Sequence, residues 1–285
     1  MITVYACAKI NLTLEVTGRR GDGYHEIATV LQEVDLKDTL TFKAHRGLTL
    51  DCDIPDLEPS QNLAFKAAEL LREEAGSRKG AAIHISKRIP PAAGLGGGSS
   101  DGVATLKALN ELWGLKLPAS RLLELASKLG SDTAFFVHGG TALGEGRGDA
   151  ITPLPPLPKS WVVLFRPPVA VPQDKTKSLY AALRPSHFSN GQNTRRAIEM
   201  LNRQEDVSSL PLFNVFEQVA EDVYVGLGRW RQRFLDMGAG NVHLAGSGPT
   251  LFTISRDKAK LDRVYRSLVA EGLEAYLVQT VARHE

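Results

Sequence analysis

Apolar and polar side chains alternate strictly over residues 9–16. Ile10, Leu12, Leu14 and Val16 point one way and Lys9, Asn11, Thr13 and Glu15 the other, which predicts a β-strand. Leu40, Phe42 and Ala44 repeat the two-residue period, and residues 18–25 between these stretches read as a polar, glycine-punctuated loop. The period lengthens to that of a helix over residues 61–75. Leu63, Ala67, Leu70 and Leu71 form its apolar stripe, Ser60 is the predicted N-cap and Gly76 the stop. Ile83, Ile85 and Ile89 mark another strand. After a glycine-rich loop, Val103, Leu106, Leu109, Leu112 and Trp113 predict a second helix ending at Gly114. A third helix is expected from Pro118, through Leu122, Leu125, Ala126 and Leu129, to Gly130.

The pattern breaks at residues 152–158, which hold four prolines in seven positions. Such a run reads as a stiff extended linker or a crossing at a sheet edge, and it is the candidate boundary between a domain of residues 1–152 and one of residues 153–285. Beyond it come a strand at 161–165, helical stretches, a glycine-containing strand segment at 242–254, a helix at 257–270 and a closing strand at 275–281. Helices and strands mix in both halves without regular βαβ alternation, which predicts an α+β fold.

Composition narrows the class. Hydrophobic residues at 43% and charged residues at 23% describe an ordinary globular protein, and the net charge of +2 gives no strong field to attract nucleic acid or an anionic membrane. The longest apolar runs are five residues, as in 161–165, whereas a membrane-spanning helix needs about 20. Residues 1–9 offer neither the basic start nor the apolar stretch of a secretory signal, and two cysteines make no disulfide framework for this length. A soluble, cytoplasmic protein with no nucleic-acid or membrane partner is expected.

The most informative stretch is Pro90-Pro-Ala-Ala-Gly94-Leu95-Gly96-Gly97-Gly98-Ser99-Ser100-Asp101, between a strand and a helix. Four glycines in five positions leave backbone N–H groups uncovered, two hydroxyls follow, and the helix start adds the positive end of its dipole. Those features suit phosphate oxygens, although a glycine-rich stretch also serves as a flexible connector. It is neither a Walker nor a Rossmann loop: the chain has no Gly-Lys dipeptide, and G-x-G-x-x-G fails because position 99 is serine. Gly98-Ser-Ser-Asp-Gly102 satisfies G-x-S-x-G, but a nucleophile elbow must turn straight off a strand, and here two prolines and a long loop intervene. His25-Glu26 is followed at the zinc-peptidase position by Thr29 rather than histidine. Three further clusters stand out. Lys9 and Asn11 lie on the polar side of the first strand, where a lysine is most often solvated. Asp132 sits between a helix-ending glycine and an apolar run, as a cap for the next turn or as a general base. Gly246-Ser-Gly248 is a strand bulge or a second loop packing near the first. Arg229, Arg231 and Arg233 around Trp230 read as a solvated helix face rather than an RNA surface.

Together these stretches resemble the GHMP kinases, the superfamily of galactokinase, homoserine kinase and mevalonate kinase. Ala8-Lys9-Ile10-Asn11-Leu12, Arg20-Gly-Asp22-Gly23-Tyr24-His25, the glycine run from Gly94 to Ser100, Gly130-Ser-Asp132 and Gly246-Ser-Gly248 occur in the family's order across nearly the whole chain. They are most similar to the branch whose acceptor is a cytidine diphosphate-linked methylerythritol. The resemblance implies a two-lobed GHMP kinase fold, with an N-terminal lobe like the second domain of ribosomal protein S5 and a C-terminal ferredoxin-like lobe. It also implies ATP and Mg²⁺ and phosphorylation of the acceptor's 2-hydroxyl in the non-mevalonate route to isoprenoids; the sequence leaves the oligomeric state open between a monomer and a weak homodimer. Residue by residue, the resemblance implies that Asp132 is the base and that Lys9 holds Asp132 and the developing charge. Pro90, Gly94, Leu95, Gly96, Gly97, Gly98, Ser99 and Ser100 would wrap the ATP phosphates, with Asn62 and Lys87 at the adenine. Asn11, Tyr24, His25, Thr176 and Tyr180 would meet the acceptor, His25 reading the cytosine and Tyr180 stacking on it. The implied Mg²⁺ ligands are not identified, Ser100 being a candidate oxygen. Two positions depart from the family pattern: Ala134 where proline is usual, and Gly102-Val103 where an alanine pair is common. Alternative readings are a homoserine- or mevalonate-type kinase, or a non-catalytic nucleotide-binding module on the same scaffold.

Overall fold

The computed structural model describes residues 1–54 and 59–283. Contacts divide the chain into two units, one of residues 1–8, 36–91 and 96–138 and the other of residues 9–35, 92–95 and 139 onward. The units interleave along the sequence and do not part at the expected boundary between 152 and 153. Two long strands, β1 (Ile2–Arg19) and β2 (His25–His45), contribute residues to both.

In the first unit, β3 (Leu48–Cys52), α1 (Leu63–Glu74) and β4 (Gly80–Ser86) form a single βαβ crossover, with β3 parallel to β4. The end of β2 pairs antiparallel with β4, from Thr39 opposite Ser86 to His45 opposite Gly80. Leu40, Phe42, Ile83 and Ile85 turn inward from these strands. They are covered by α1, α2 (Gly97–Leu112), α3 (Ala119–Leu129) and the short α4 (Thr133–His138). Two boundaries differ from the sequence expectation. Asn62 rather than Ser60 caps α1, its Oδ1 accepting from Ala64 N at 2.9 Å; Ser60 lies in a preceding single turn of 3₁₀ helix. Moreover, α2 starts at Gly97, so Gly97, Gly98, Ser99 and Ser100 are its first turn rather than loop.

In the second unit, β2 pairs antiparallel with β5 (Thr141–Gly146), which turns into β6 (Ala150–Pro153). The proline-rich run continues from β6 as packed structure: Leu157 is buried, and Leu154 and Leu157 donate their N–H groups to Thr141. Next come β7 (Trp161–Arg166), α5 (Lys175–Ala182), α6 (Gln192–Asn202), and β8 (Phe213–Asn214), which pairs parallel with β1 at Thr13 and Leu14. The chain closes with α7 (Ala220–Val223), α8 (Leu227–Asp236), β9 (His243–Leu244), β10 (Leu251–Ser255), α9 (Lys258–Ala270) and β11 (Glu274–Gln279). An antiparallel sheet of order β11-β7-β10-β9 buries Val163, Phe165 and Leu251 against Phe234, Leu261, Val264 and Leu268. The expected single strand over 242–254 is thus two short strands around a turn at 245–250, because the glycines leave the ladder. Mixed helices and sheets agree with the predicted α+β class.

Candidate active site

The polar face of β1 is buried. Lys9 and Asn11 are 4% and 3% exposed, and Thr13 and Glu15 are fully buried, so the solvated face expected of a lone strand lysine does not exist. Each group has a hydrogen-bonding partner, as burial requires. Lys9 Nζ donates to Asn11 Oδ1 at 2.9 Å, and Asn11 Nδ2 donates to Thr29 Oγ1 at 2.8 Å. Thr29 Oγ1 in turn donates to the carbonyl of Thr13, and Thr13 Oγ1 shares a hydrogen bond with Thr194 Oγ1. Glu15 accepts from Ser189, Asn193 and Thr194; burial pushes its pKa up, and these hydrogen bonds bring it below the ordinary carboxylate value.

Two glycine-bearing turns close over Lys9. The Lys9 N–H donates to Leu95 O at 2.9 Å. A Cβ at Gly94, where φ is +83°, would overlap Ala245 O and sit 2.7 Å from Gly248 N, so the two turns touch backbone to backbone. At Gly246, where φ is +54°, a Cβ would lie 2.7 Å from Lys9 Nζ and 2.8 Å from Gly94 O. Only glycine tolerates both the left-handed backbone and that proximity. The second unit therefore brings Lys9, Asn11, Gly94, Leu95 and Gly246 together around one buried ammonium.

In the first unit, α2 opens with Gly96 as its N-cap in a left-handed backbone and with no side-chain cap. A Cβ on Gly97 would press on Ile89, whereas Gly98 is exposed, Ser99 half-buried and Ser100 buried. Uncapped N–H groups at a helix start are donors for an anion. Pro90 is buried at the loop entrance. The Lys87 ammonium lies between two carboxylates, donating to Asp38 and, at 2.6 Å, to Asp101 Oδ2. Burial pushes the Lys87 pKa down, but the two carboxylates hold it above the ordinary lysine value. Burial and the nearby Asp38 push Asp101 up to about 7 despite Lys87, and Asp101 Oδ1 is buried without a hydrogen-bond partner among the described residues. Asp132 is exposed, between the extended Gly130 and α4, and Thr133, Ala134, Phe135 and Phe136 form the buried wall behind it. Thr133 Oγ1, hydrogen-bonded to the carbonyls of Ala126 and Gly130, closes that turn. Ala134 is the second residue of α4, within the first turn, where the family's usual proline would also be accommodated.

The remaining expected residues lie in the second unit. His25 is stacked on Tyr180, with ring centroids 4.8 Å apart and planes 17° from parallel, and meets Phe188 edge-on at 5.8 Å. Burial lowers the His25 pKa, and Nε2 is buried with no hydrogen-bond partner among the described residues. A neutral imidazole with an unmatched nitrogen is suited to a ligand's hydrogen-bonding edge. Tyr24 is 55% exposed beneath Arg147. Thr176 Oγ1 donates to Ser247 Oγ at 2.9 Å, and the adjacent Lys175, which is buried, donates to Ser247 Oγ and to Gly248 O. No motif marked Lys175, Phe188, Thr29 or Asp38. The only sequence signal was the position of Lys175 beside Thr176. Arg231 donates to Val242 O and pairs with Glu217, and Arg233 pairs with Glu271.

Comparisons with known proteins identify the family. The family described as GHMP kinases N terminal domain matches residues 62–140, and GHMP kinases C terminal matches residues 187–274. A 4-diphosphocytidyl-2-C-methyl-D-erythritol kinase of Dehalococcoides mccartyi is 44% identical over 281 residues, covering 99% of each chain. One from Brevibacillus brevis is 38% identical over 290 residues, covering all of this chain and 98% of the relative. A crystal structure of 4-(cytidine 5'-diphospho)-2C-methyl-D-erythritol kinase superposes with a TM-score of 0.83 at 34% identity, covering 98% of this chain and 99% of the other.

Proposed function

The chain belongs to the GHMP kinases, in their 4-diphosphocytidyl-2-C-methyl-D-erythritol kinase branch, and from that premise we propose how its residues divide the work. The reaction moves the γ-phosphoryl group of ATP to the 2-hydroxyl of 4-diphosphocytidyl-2-C-methyl-D-erythritol, giving the 2-phosphate and ADP on the non-mevalonate route to isoprenoids. Phosphoryl transfer asks the protein mainly for position and charge. The observation that carries the assignment is the buried Lys9 ammonium, fixed by Asn11 and enclosed by the turns at Gly94 and Gly246.

Lys9 is assigned to the developing negative charge and Asp132 to orienting the acceptor hydroxyl and receiving its proton. A hydroxyl is too weak an acid to be ionised beforehand by a carboxylate, so the proton moves late, as the new P–O bond forms. The stretch from Pro90 to Ser100 receives the ATP phosphates through the N–H groups at the start of α2, with Asn62 and Lys87 bordering the adenine. His25 offers its unmatched Nε2 to the cytosine, the Tyr180 ring lies beside it, and Asn11, Tyr24 and Thr176 complete the acceptor side. For Mg²⁺, the donor set fits a cation held chiefly by phosphates and water: no cluster of three His, Cys, Asp or Glu occurs among the described residues, and Ser100 is the nearby protein oxygen at the start of α2. When bound, that cation neutralises phosphate charge. Both substrates are water-soluble anions, which suits a cytoplasmic enzyme.

The test is ADP release from Mg-ATP by the purified protein, with and without the cytidine-bearing acceptor, run beside Asp132→Asn. Acceptor-dependent turnover that falls by about 10²–10⁴-fold in a folded, ATP-binding variant is expected. Near-normal kcat in that variant removes Asp132 from the proton's path. A wild-type protein that binds ATP but turns over only homoserine or mevalonate refutes the acceptor assignment.

A further inference from the structure

The stretch that holds the phosphates begins and ends beside one carboxylate. Asp38, fully buried on β2, accepts with Oδ1 from the N–H groups of Arg88 at 2.6 Å and Ile89 at 2.8 Å, the two residues before Pro90. Its Oδ2 accepts from Lys87 Nζ, and the same ammonium donates to Asp101, which follows Ser100 directly in α2. Entrance and exit of the glycine-rich segment are therefore joined through an Asp38–Lys87–Asp101 chain. We propose that Asp38 is a positioning residue for ATP: by tying residues 88 and 89 to Asp101 through Lys87, it holds the glycine-rich segment in its phosphate-binding shape. The inference rests on the reading of Pro90–Ser100 as the phosphate site.

The physical need for such a tie follows from the glycines. Glycine loses more conformational freedom on ordering than any other residue, and this segment carries four within five positions. A segment left to order only when ATP arrives subtracts that entropy from affinity, whereas one fixed beforehand does not. Asp38 is suited to the task because its partners are of two kinds. Backbone N–H groups fix the strand end whatever side chains follow, and the charge-assisted contact through Lys87 reaches the helix. Asp38 touches neither glycine nor serine of the segment, so it acts through its neighbours and is not a catalytic residue.

The discriminating variant is Asp38→Asn. Its carboxamide oxygen still accepts from Arg88 and Ile89, but its NH₂ then faces the Lys87 ammonium, donor against donor, so the link to Asp101 is lost while the strand end stays held. Equilibrium binding of ATP and of adenosine is measured by competition for wild type and variant, beside thermal melts. ATP affinity is expected to fall roughly tenfold, the scale of one buried charge-assisted contact, and clearly more than adenosine affinity, which falls only by the smaller effect of disturbing Lys87 beside the adenine. Unchanged ATP binding overturns the proposal. An equal loss for ATP and adenosine also overturns it, since the effect then lies in the adenine pocket or the fold at large. A wild-type protein that binds ATP no more tightly than adenosine removes the phosphate site itself and the proposal with it, an outcome separable from failure of the tie alone. If Asp38→Asn does not fold, Asp101→Asn weakens the same link from the helix side. It should show the same selective loss, and intact ATP binding there overturns the proposal.

Discussion

Thr29→Val tests whether the buried polar row of β1 sets the position of Lys9. The substitution preserves shape and removes one hydroxyl, which accepts from Asn11 Nδ2 at 2.8 Å and donates to the carbonyl of Thr13. Thr29 is 2% exposed, so water cannot readily replace it. Losing a buried hydrogen bond costs about 1 kcal/mol net, and leaving the Asn11 donor unmatched adds about 1–3 kcal/mol, giving roughly 2–4 kcal/mol of stability. At about 2–4 °C per kcal/mol for a chain somewhat smaller than this one, Tm should fall by roughly 4–16 °C. The catalytic effect has a different origin. An Asn11 carboxamide released on its Thr29 side can rotate, and its oxygen is what fixes Lys9 Nζ. Misplacement by about 1 Å can cost on the order of 10²-fold in rate, so kcat should fall by roughly 10–100-fold. The KM for ATP should change little, because Thr29 contacts none of the residues assigned to the nucleotide. Steady-state ADP release and thermal melts measure both quantities, and Thr29→Ser, which keeps the hydroxyl, should recover most of kcat. A Thr29→Val enzyme with kcat within about twofold of wild type would show that Lys9 is positioned by something else. Equal damage from serine would point to the methyl group and refute the hydrogen-bond argument.

Three further outcomes follow from the geometry. Gly246→Ala places a Cβ 2.7 Å from Lys9 Nζ at φ +54°; a left-handed alanine costs about 1–2 kcal/mol, and kcat should fall at least tenfold with a melting loss of a few degrees, whereas wild-type turnover would mean that this turn does not confine Lys9. Asp101, at about 7 in the folded chain against 3.8 for an ordinary aspartate, holds a proton between about pH 4 and 7 that the unfolded chain lacks. Its contribution to stability therefore declines as pH rises through that window and levels off above it, and melts of Asp101→Asn should lack this slope; an identical pH profile in the variant would contradict the assignment. His25 has its pKa lowered from 6.5 by burial, so the folded state resists a proton that the unfolded chain accepts, and stability is lost as pH falls below about 6.5. The KM for the cytidine-bearing acceptor should be flat from pH 7 to 8 and rise on acidification, and a KM insensitive to His25→Phe would remove the imidazole from cytosine recognition.

Much of the fold was legible because period and punctuation are local. The stripes of α1 and α3 and the glycines after α1 and α2 predicted their elements within a few residues, while the alternation over residues 9–16 marked only the middle of a strand that runs from Ile2 to Arg19. Expectations failed where a local rule had two outcomes. Ser60 and Asn62 are both good caps, and the choice fell to the one whose side chain reaches Ala64 N. Four glycines and two serines looked like loop, yet Gly97–Ser100 is helical because α2 supplies the hydrogen bonds, beginning with Ser100 N to Gly96 O. The prolines at 153–158 left a linker and a crossing at a sheet edge both open, and here the run packs, with Thr141 satisfying its remaining N–H groups.

Side-chain chemistry was legible only where residues sit close together along the chain. A strand with a wet polar face and one with a buried polar face have the same alternation, and the difference lies in partners that arrive from far away. Asn11 is met by Thr29, Thr13 by Thr194, and Glu15 by Ser189 and Asn193, up to 181 positions along the sequence. Asp38 is likewise an ordinary strand aspartate until β4 brings Lys87, Arg88 and Ile89 to it. In both cases the motif residue is the visible end of a network whose other members carry no motif of their own. The buried state explains why they are needed: an ammonium or carboxylate removed from water is destabilising unless every donor and acceptor is matched. Thr29 and Asp38 supply that matching, and the same hydrogen bonds that satisfy burial also fix where Lys9 and the phosphate site stand.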